Sequence, residues 1–250
     1  MNNQTAIIIP ARYGSSRLEG KPLLKAADKP IIQWVWEKAS KCKGINRVII
    51  ATDDSRIYDT CRNFGAEVEM TSVNHKSGSD RIAEVISRHE EIEYIINLQG
   101  DEPLIEENNI ELVRQGVVDD NTADISTLVR EIVSQEELNN PNLVKCVFDN
   151  LGYALYFSRA KIPYERNENK TKFYGHIGIY GYKREALLKM TSLPQTQYEM
   201  AESLEQLRAL QNGMKIKIAV VNNVPVGIDT KEDFEKFKHM VENNKIYEKL

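Results

Sequence analysis

The sequence predicts an α/β protein built on a mostly parallel sheet, and three observations carry that prediction. Short, continuous apolar runs such as residues 6–10 (AIIIP) and 47–52 (RVIIAT) suit strands buried on both faces. Helical patterns separate these runs in the first half of the chain. Strands alternating with helices of these lengths imply βαβ units.

Residues 6–10 form the first strand, ended by Pro10 and a glycine-containing stretch. Pro30 opens a helix with Ile31, Ile32, Val35 and Ala39 on one face. Residues 47–52 form the second strand. Asp53, Asp54 and Ser55 then offer N-caps for a helix reaching about Gly65, a C-terminal stop. A third strand covers residues 66–70, and Ile82, Val85, Ile86 and His89 mark the next helix. Residues 94–98 form a fourth strand closed by Gln99-Gly100-Asp101, and residues 107–118 are again helical.

The second half is less regular. Residues 124–131, 143–149 and 153–157 read as strands, and 167–172 as a polar loop. Residues 176–182 (HIGIYGY) alternate, so one face is buried and the other is not. Helices over 183–190 and 198–212, a strand over 215–221 and a helix over 230–243 complete the chain. With no repeat and no linker, residues 1–250 read as a single domain with a β-rich excursion over about 125–190.

A length of 250 residues permits one large α/β domain or two small ones, and 41% hydrophobic residues are enough for a packed core. A net charge of −4 argues against a nucleic-acid partner. Cys42, Cys61 and Cys146 form no CxxC and no metal-ligand spacing, so they read as reduced, partly buried thiols. The short apolar run before Pro10 is neither a signal peptide nor a membrane span, so no membrane partner and a cytoplasmic location are expected.

The most informative segment is residues 10–22, PARYGSSRLEGKP, directly after the first strand. Ligands of open α/β sheets sit at the carboxyl ends of strands near a switch in strand order. Gly14 and Gly20 allow close backbone approach, Arg12, Arg17 and Lys21 supply cations, and Ser15 and Ser16 add hydroxyls. Together they make a cradle for a triphosphate, although the composition equally suits a solvated basic loop. It is not a Walker A loop: five residues separate Gly14 from Gly20, and Pro22 follows Lys21 where that motif needs Ser or Thr. The dinucleotide fingerprint is also absent.

Asp101 follows a buried strand in Gln-Gly-Asp-Glu-Pro, where a carboxylate can bind magnesium or simply close a turn. Asp229 in Gly-Ile-Asp-Thr-Lys-Glu-Asp can do the same or cap the last helix. Thr230 with Asp233, or Asp229 with Glu232, would make a capping box.

PARYGSSRLEGKPL resembles the N-terminal signature of the 3-deoxy-manno-octulosonate (Kdo) cytidylyltransferases, the CMP-Kdo synthetases. The resemblance continues through ATDD (51–54), HKSGSDR (75–81), NLQGDEPLI (97–105), YALYFSRAKIP (153–163), HIGIYGY, SLEQLRAL (203–210) and GIDTKED (227–233), in order over essentially the whole chain. It implies a three-layer, Rossmann-like nucleotide-diphospho-sugar transferase fold. It also implies transfer of CMP from CTP to the anomeric hydroxyl of Kdo, giving CMP-Kdo for lipopolysaccharide or capsule synthesis.

The resemblance further implies Mg2+ on Asp101 and Asp229, with a second ion on the triphosphate, and catalytic roles for Lys21 and Arg12 beside those carboxylates. Nucleotide contacts are implied for Ala11, Arg12, Gly14, Ser15, Ser16, Arg17, Lys21, Ser77, Gly78, Arg81 and Gln99. Sugar contacts are implied for Gln99, Arg159, His176, Tyr180, Glu205 and Gln206, and a homodimer for HIGIYGY and the preceding strands.

Chemistry agrees with these assignments. A guanidinium binds a carboxylate bidentately, and residues four apart in a strand share a face. Taken singly, these residues also read as an ordinary surface arginine, half-buried sheet residues and exposed helix formers. Three positions depart from the family pattern: Glu19 for Pro, Asp80 for Glu, and Pro225-Val226-Gly227 for Gly-x-Gly. Rival readings are the same reaction on 8-amino-Kdo or another acidic sugar, a glycosyltransferase using Asp53-Asp54 or Asp101 on a nucleotide-sugar, and a non-catalytic nucleotide-binding regulator.

Overall fold

The computed structural model describes residues 4–14, 18–167, 170–222 and 227–243. In chain order the first half comprises β1 (Gln4–Ala11), a 3-10 turn (Lys21–Leu23), β2 (Lys25–Ala26), β3 (Lys29–Pro30), α1 (Ile31–Ala39), β4 (Arg47–Thr52) and α2 (Ser55–Asn63). There follow β5 (Glu67–Met70), α3 (Gly78–Ser87), β6 (Ile92–Asn97), α4 (Glu107–Val118), β7 (Ile125–Ile132), α5 (Gln135–Asn139), β8 (Lys145–Phe148) and β9 (Ala154–Ser158). The chain ends with β10 (Phe173–Lys183), α6 (Arg184–Ser192), α7 (Gln197–Glu202), α8 (Gln206–Gln211), β11 (Ile216–Val221) and α9 (Lys231–Asn243). No described helix is long and apolar enough to cross a membrane.

These elements form two compact units, residues 1–111 with 225–250, and residues 112–224, the boundary falling within α4. The second unit contains the expected β-rich excursion and extends beyond it at both ends.

In the first unit four parallel strands lie in the order β6-β1-β4-β5. The apolar runs fill their centre: Ile7, Ile8, Ile9, Ile49, Ile50, Ile95 and Ile96 are fully buried. A strand covered on both faces has no polar side to alternate with, which is why these runs are continuous. The chain adds β4 and β5 on one side of β1 and then returns to place β6 on the other. The strand order therefore switches between β1 and β6, and the segments leaving both strands open onto that point.

Helix α9 packs on α1 and β2 through Ala26, Ile31, Trp34, Phe234, Phe237 and Val241, and Ile228 joins the same cluster. Trp34 meets Phe237 edge-on at 6.1 Å, and its Nε1 donates to the carbonyl of Ala26 at 3.2 Å. This cluster anchors the segment that carries Asp229.

In the second unit β7 pairs in parallel with β11 and antiparallel with β10, and β8 pairs antiparallel with both β10 and β9. Exposure alternates along β10 as expected, with Phe173, Gly175, Ile177 and Ile179 buried. A bulge interrupts its register with β7 between Ile177 and Tyr180. The Thr127 hydroxyl lies there, against the carbonyls of Ile177 (3.2 Å) and Ile179 (2.7 Å).

The single helix expected over 198–212 is two helices, α7 and α8, broken at Ser203 in the left-handed region (φ 52). The expected helical face ending at His89 also stops sooner, since α3 closes at Ser87.

Candidate active site

Gly20 holds a left-handed φ of 65 and leads into the turn containing Lys21. Its N–H donates to the carbonyl of Tyr13 at 2.9 Å, closing the loop after β1. The Tyr13 ring lies beneath it: a Cβ on Gly20 would stand 3.0 Å from Tyr13 Cζ. The Arg56 guanidinium lies 3.3 Å from the centroid of the same ring and is held by Asp54, the N-cap of α2. Ser15, Ser16 and Arg17, expected at the triphosphate, lie outside the described residues.

This frame delivers Lys21 to two carboxylates. Its Nζ lies 2.5 Å from Asp101 Oδ2 and 3.6 Å from Asp229 Oδ1, and donates to the carbonyl of Ile228 at 2.8 Å. The Ile228 N–H donates to the carbonyl of Asp101 at 2.9 Å, tying the two acidic segments together. Residues 80 and 208 positions away from Lys21 thus converge on its ammonium.

The capping ambiguity at the last helix is also settled. Thr230 Oγ1 accepts from the Asp233 N–H at 3.1 Å, and Asp233 Oδ2 accepts from the N–H groups of Thr230 (2.9 Å) and Asp229 (3.2 Å). Thr230 and Asp233 make the capping box, so the Asp229 carboxylate can face Lys21.

Glu102, next to Asp101, was not singled out by the sequence. Its Oε2 is buried and has no hydrogen-bond partner among the described residues. Burial, then Asp101 and Asp229, pushes its carboxyl up to about 7.

A polar cavity of about 180 Å³ lies beside this cluster in the first unit, lined by Pro10, Ala11, Arg12, His75, Lys76, Ser77, Gly78, Arg81 and Gln99. Ser77 and Asp80 form a capping box that starts α3. A Cβ on Gly78 would come within 3.3 Å of Pro10 Cγ, so glycine permits the close approach of α3 to β1. Arg81 is buried and fixed by Thr71 and Asp53, while Gln99 donates to Asn97 Oδ1 at 3.0 Å. Ala11, Arg12, Ser77, Gly78, Arg81 and Gln99 therefore line one cavity. His75 and Lys76 are additions that the loop composition did not separate from ordinary surface charge.

The expected sugar residues lie in the second unit. His176 and Tyr180 flank the β10 bulge with ring centroids 5.3 Å apart, and His176 also meets Phe157 edge-on at 5.2 Å. His176 Nε2 is 2.9 Å from the Thr127 hydroxyl. Burial lowers the His176 pKa to about 4 and holds the Tyr180 phenol well above its ordinary value.

Arg159 donates from Nε to the carbonyl of Glu202 at 2.6 Å, and from its terminal nitrogens to those of Pro141 (3.0 Å) and Ser203 (3.4 Å). Two of these carbonyls come from the break between α7 and α8. Glu205 stands at the N-cap position of α8 with its side chain partly exposed, and Gln206 is buried at its first turn. Among the described residues no group of three His, Cys, Asp or Glu side chains is placed to hold a metal by itself.

A cytidylyltransferase family model matches residues 6–216. A 3-deoxy-manno-octulosonate cytidylyltransferase from Fusobacterium nucleatum is 44% identical over 239 residues, covering 96% of this chain and 97% of that one. The enzyme of that name from Thermodesulfovibrio yellowstonii is 48% identical over 244 residues, covering 92% and 95%. The chain belongs to the 3-deoxy-manno-octulosonate cytidylyltransferase family. A solved CMP:2-keto-3-deoxy-manno-octonic acid synthetase complexed with CTP is 42% identical, with a TM-score of 0.93 over 97% of this chain and 100% of that one. A cytidylyltransferase from Leptospira borgpetersenii, at 20% identity and a TM-score of 0.64, shares the fold.

Departures from the 3-deoxy-manno-octulosonate cytidylyltransferase pattern now have places. Glu19 is exposed, and its charge acts on Arg56. Asp80 retains an acidic partner for the Ser77 N–H at 3.2 Å. Pro225 and Val226 lie outside the described residues, while a Cβ on Gly227 would make only ordinary contact, 3.9 Å from Glu102 Cγ.

Proposed function

We propose that this chain transfers CMP from CTP to the anomeric hydroxyl of Kdo and releases pyrophosphate. The observation that carries the reading is the convergence of Asp101 and Asp229 on one cation, the Lys21 ammonium, beside a polar cavity at the strand-order switch. Family membership and relatives named for this reaction support the same conclusion.

The cavity residues Ala11, Arg12, Ser77, Gly78, Arg81 and Gln99 take the cytidine. Arg12, Gly14, Ser15, Ser16, Arg17 and Lys21 take the triphosphate. Cations there neutralise charge that builds on the departing pyrophosphate, a fixed electrostatic contribution that water would have to reorganise to supply. Holding both reactants in line removes much of the entropic barrier.

The acidic donors fit magnesium. They are hard oxygens, too few to enclose an ion alone, which suits a cation that keeps water and phosphate ligands. They already gather around a positive charge, and a buried Glu102 oxygen beside them has no donor among the described residues. Asp101 and Asp229 would hold Mg2+, which when bound supplies charge neutralisation at the α-phosphate and acidifies the attacking hydroxyl.

On the sugar side, Arg159 keeps N–H donors on its terminal nitrogens beyond those given to carbonyls, enough to receive the Kdo carboxylate. His176, Tyr180, Glu205 and Gln206 meet the hydroxyls. His176 is neutral at pH 7 and so serves as a hydrogen-bonding group rather than a cation.

We also propose a homodimer. The side chains of Leu151, Leu155, Tyr198 and Met200 are exposed on the second unit, and a second copy would cover them. Strand β10 is paired on both sides, so Leu155 on β9 is the better contact than HIGIYGY itself. Three free thiols agree with a reducing, cytoplasmic setting.

Pyrophosphate release with CTP and a panel of Kdo, 8-amino-Kdo and a nonulosonate tests the reaction. The expected result is release with Kdo and CTP, dependent on magnesium. Release with none of the sugars would refute it, as would turnover of UDP- or GDP-sugars without CTP.

A further inference from the structure

Glu102 is an awkward residue for a folded protein to keep. Glutamates are rarely buried unless paired. A carboxylate oxygen removed from water without a donor costs free energy that the fold must offset elsewhere. Such groups are few in native proteins and ask for an explanation. Here Oε2 is buried with no partner among the described residues.

The surroundings supply one. The backbone at Glu102 is fixed by its N–H to the Gln99 carbonyl at 3.3 Å and by its carbonyl to the Ile105 N–H at 3.2 Å. The side chain runs beside Gly227, whose added Cβ would lie 3.9 Å from Glu102 Cγ and equally far from the Asp101 carbonyl. It therefore lies against the segments that carry Asp101 and Asp229. The three carboxylates are nevertheless not disposed to ligate one ion together.

We propose that Glu102 is the outer carboxylate of the divalent-cation site, accepting a hydrogen bond from the hydration shell of the cation that Asp101 and Asp229 hold. This rests on the reading of those two residues given above. Its role is positioning: it orients shell water and strengthens cation binding, and it touches neither reactant. Outer-shell partners of this kind typically change metal affinity about tenfold or more.

The test is Mn2+ binding to the full chain with CTP present, followed by electron paramagnetic resonance, for wild type, Asp101→Asn, Asp229→Asn, Glu102→Gln and Glu102→Ala. Thermal melting in chelator accompanies each. The expected result is loss of binding in the two aspartate variants and about tenfold weaker binding in the Glu102 variants. Removing a buried oxygen that has no partner among the described residues should leave their metal-free melting temperature equal to or above wild type. If the aspartate variants bind Mn2+ normally, the reading of the cation site fails. If they lose it while the Glu102 variants stay within about twofold of wild type, the outer-shell role alone fails. Loss of folding in both Glu102 variants would likewise overturn it, by assigning Glu102 to the scaffold.

Discussion

At the residue scale, Lys21 is the hinge of the electrostatics. Its ammonium lies against both carboxylates, 2.5 Å from Asp101 and 3.6 Å from Asp229. Asp101→Asn should abolish CMP transfer with the fold intact, read by pyrophosphate release and circular dichroism, and near-normal turnover at saturating magnesium would refute the assignment. Lys21→Met should lower kcat/KM by about 10²-fold or more, the scale for losing one fixed stabilising group. A loss confined to thermal stability would place Lys21 in the scaffold instead.

His176 gives a pH prediction. Its folded-state pKa of about 4 lies below the ordinary 6.5, so the native ring resists a proton that the unfolded ring accepts. Stability is therefore in place above about pH 6.5 and drains away as pH falls toward 4. A histidine signal titrating near 6.5 in the NMR spectrum of the folded protein would contradict this if it belongs to His176.

Much of this was legible in the sequence because the signals stack. Lys21 and Asp101 each follow a buried strand and a glycine, so strand, turn and charge all point to one place. Asp229 was ambiguous, because an Asp before Thr suits a cap equally well, and only geometry shows that Thr230 takes the cap. Glu102, His75 and Lys76 were missed because a charged residue one place along the chain reads the same whether its head is in water or turned inward.

At the element scale, two features eluded periodicity for different reasons. The break at Ser203 lies in a run of helix-compatible residues with neither Gly nor Pro, so nothing local announces it. Tertiary partners impose it: Arg159 gathers the Glu202 and Ser203 carbonyls, and a buried Glu199–Arg208 pair joins the two helices. The bulge in β10 preserves the alternation of the sequence because it inserts two residues, Gly178 and Ile179, and it draws His176 and Tyr180 together.

Gly181 sits just past that bulge. A Cβ there would stand 2.5 Å from Ser126 Oγ and 2.8 Å from the Val113 carbonyl. Gly181→Ala should destabilise the protein by about 2 kcal/mol through overpacking. Denaturant unfolding measures it, and an unchanged midpoint would show that the neighbours yield freely. Thr230→Ala should cost about 1 kcal/mol as a lost helix cap. It should also raise the KM for magnesium more than a generic loss of stability would, because the same turn presents Asp229.

At the scale of the whole molecule, the chain spends its cysteines as core filler. Cys61 and Cys146 are buried and Cys42 is partly so. Burial pushes the Cys42 thiol up to about 11 and that of Cys61 to about 12, and raises that of Cys146 as well. Thiolate is the reactive form, so a thiol-specific reagent should label the native protein slowly and all three positions rapidly in denaturant. Fast labelling of native protein would mean that one of these sites opens.

The ring of Tyr13 is wedged between the Arg56 guanidinium and the bare backbone of Gly20. Three positions spread over forty-odd residues therefore share one small volume, and their histories should be entangled. A Cβ at 20 would crowd the ring and force it to give way, and loss of the ring would strip the arginine of its stacking partner while Asp54 still holds it. In an aligned set of homologous chains, a residue larger than glycine at 20 should be found only where 13 is no longer aromatic.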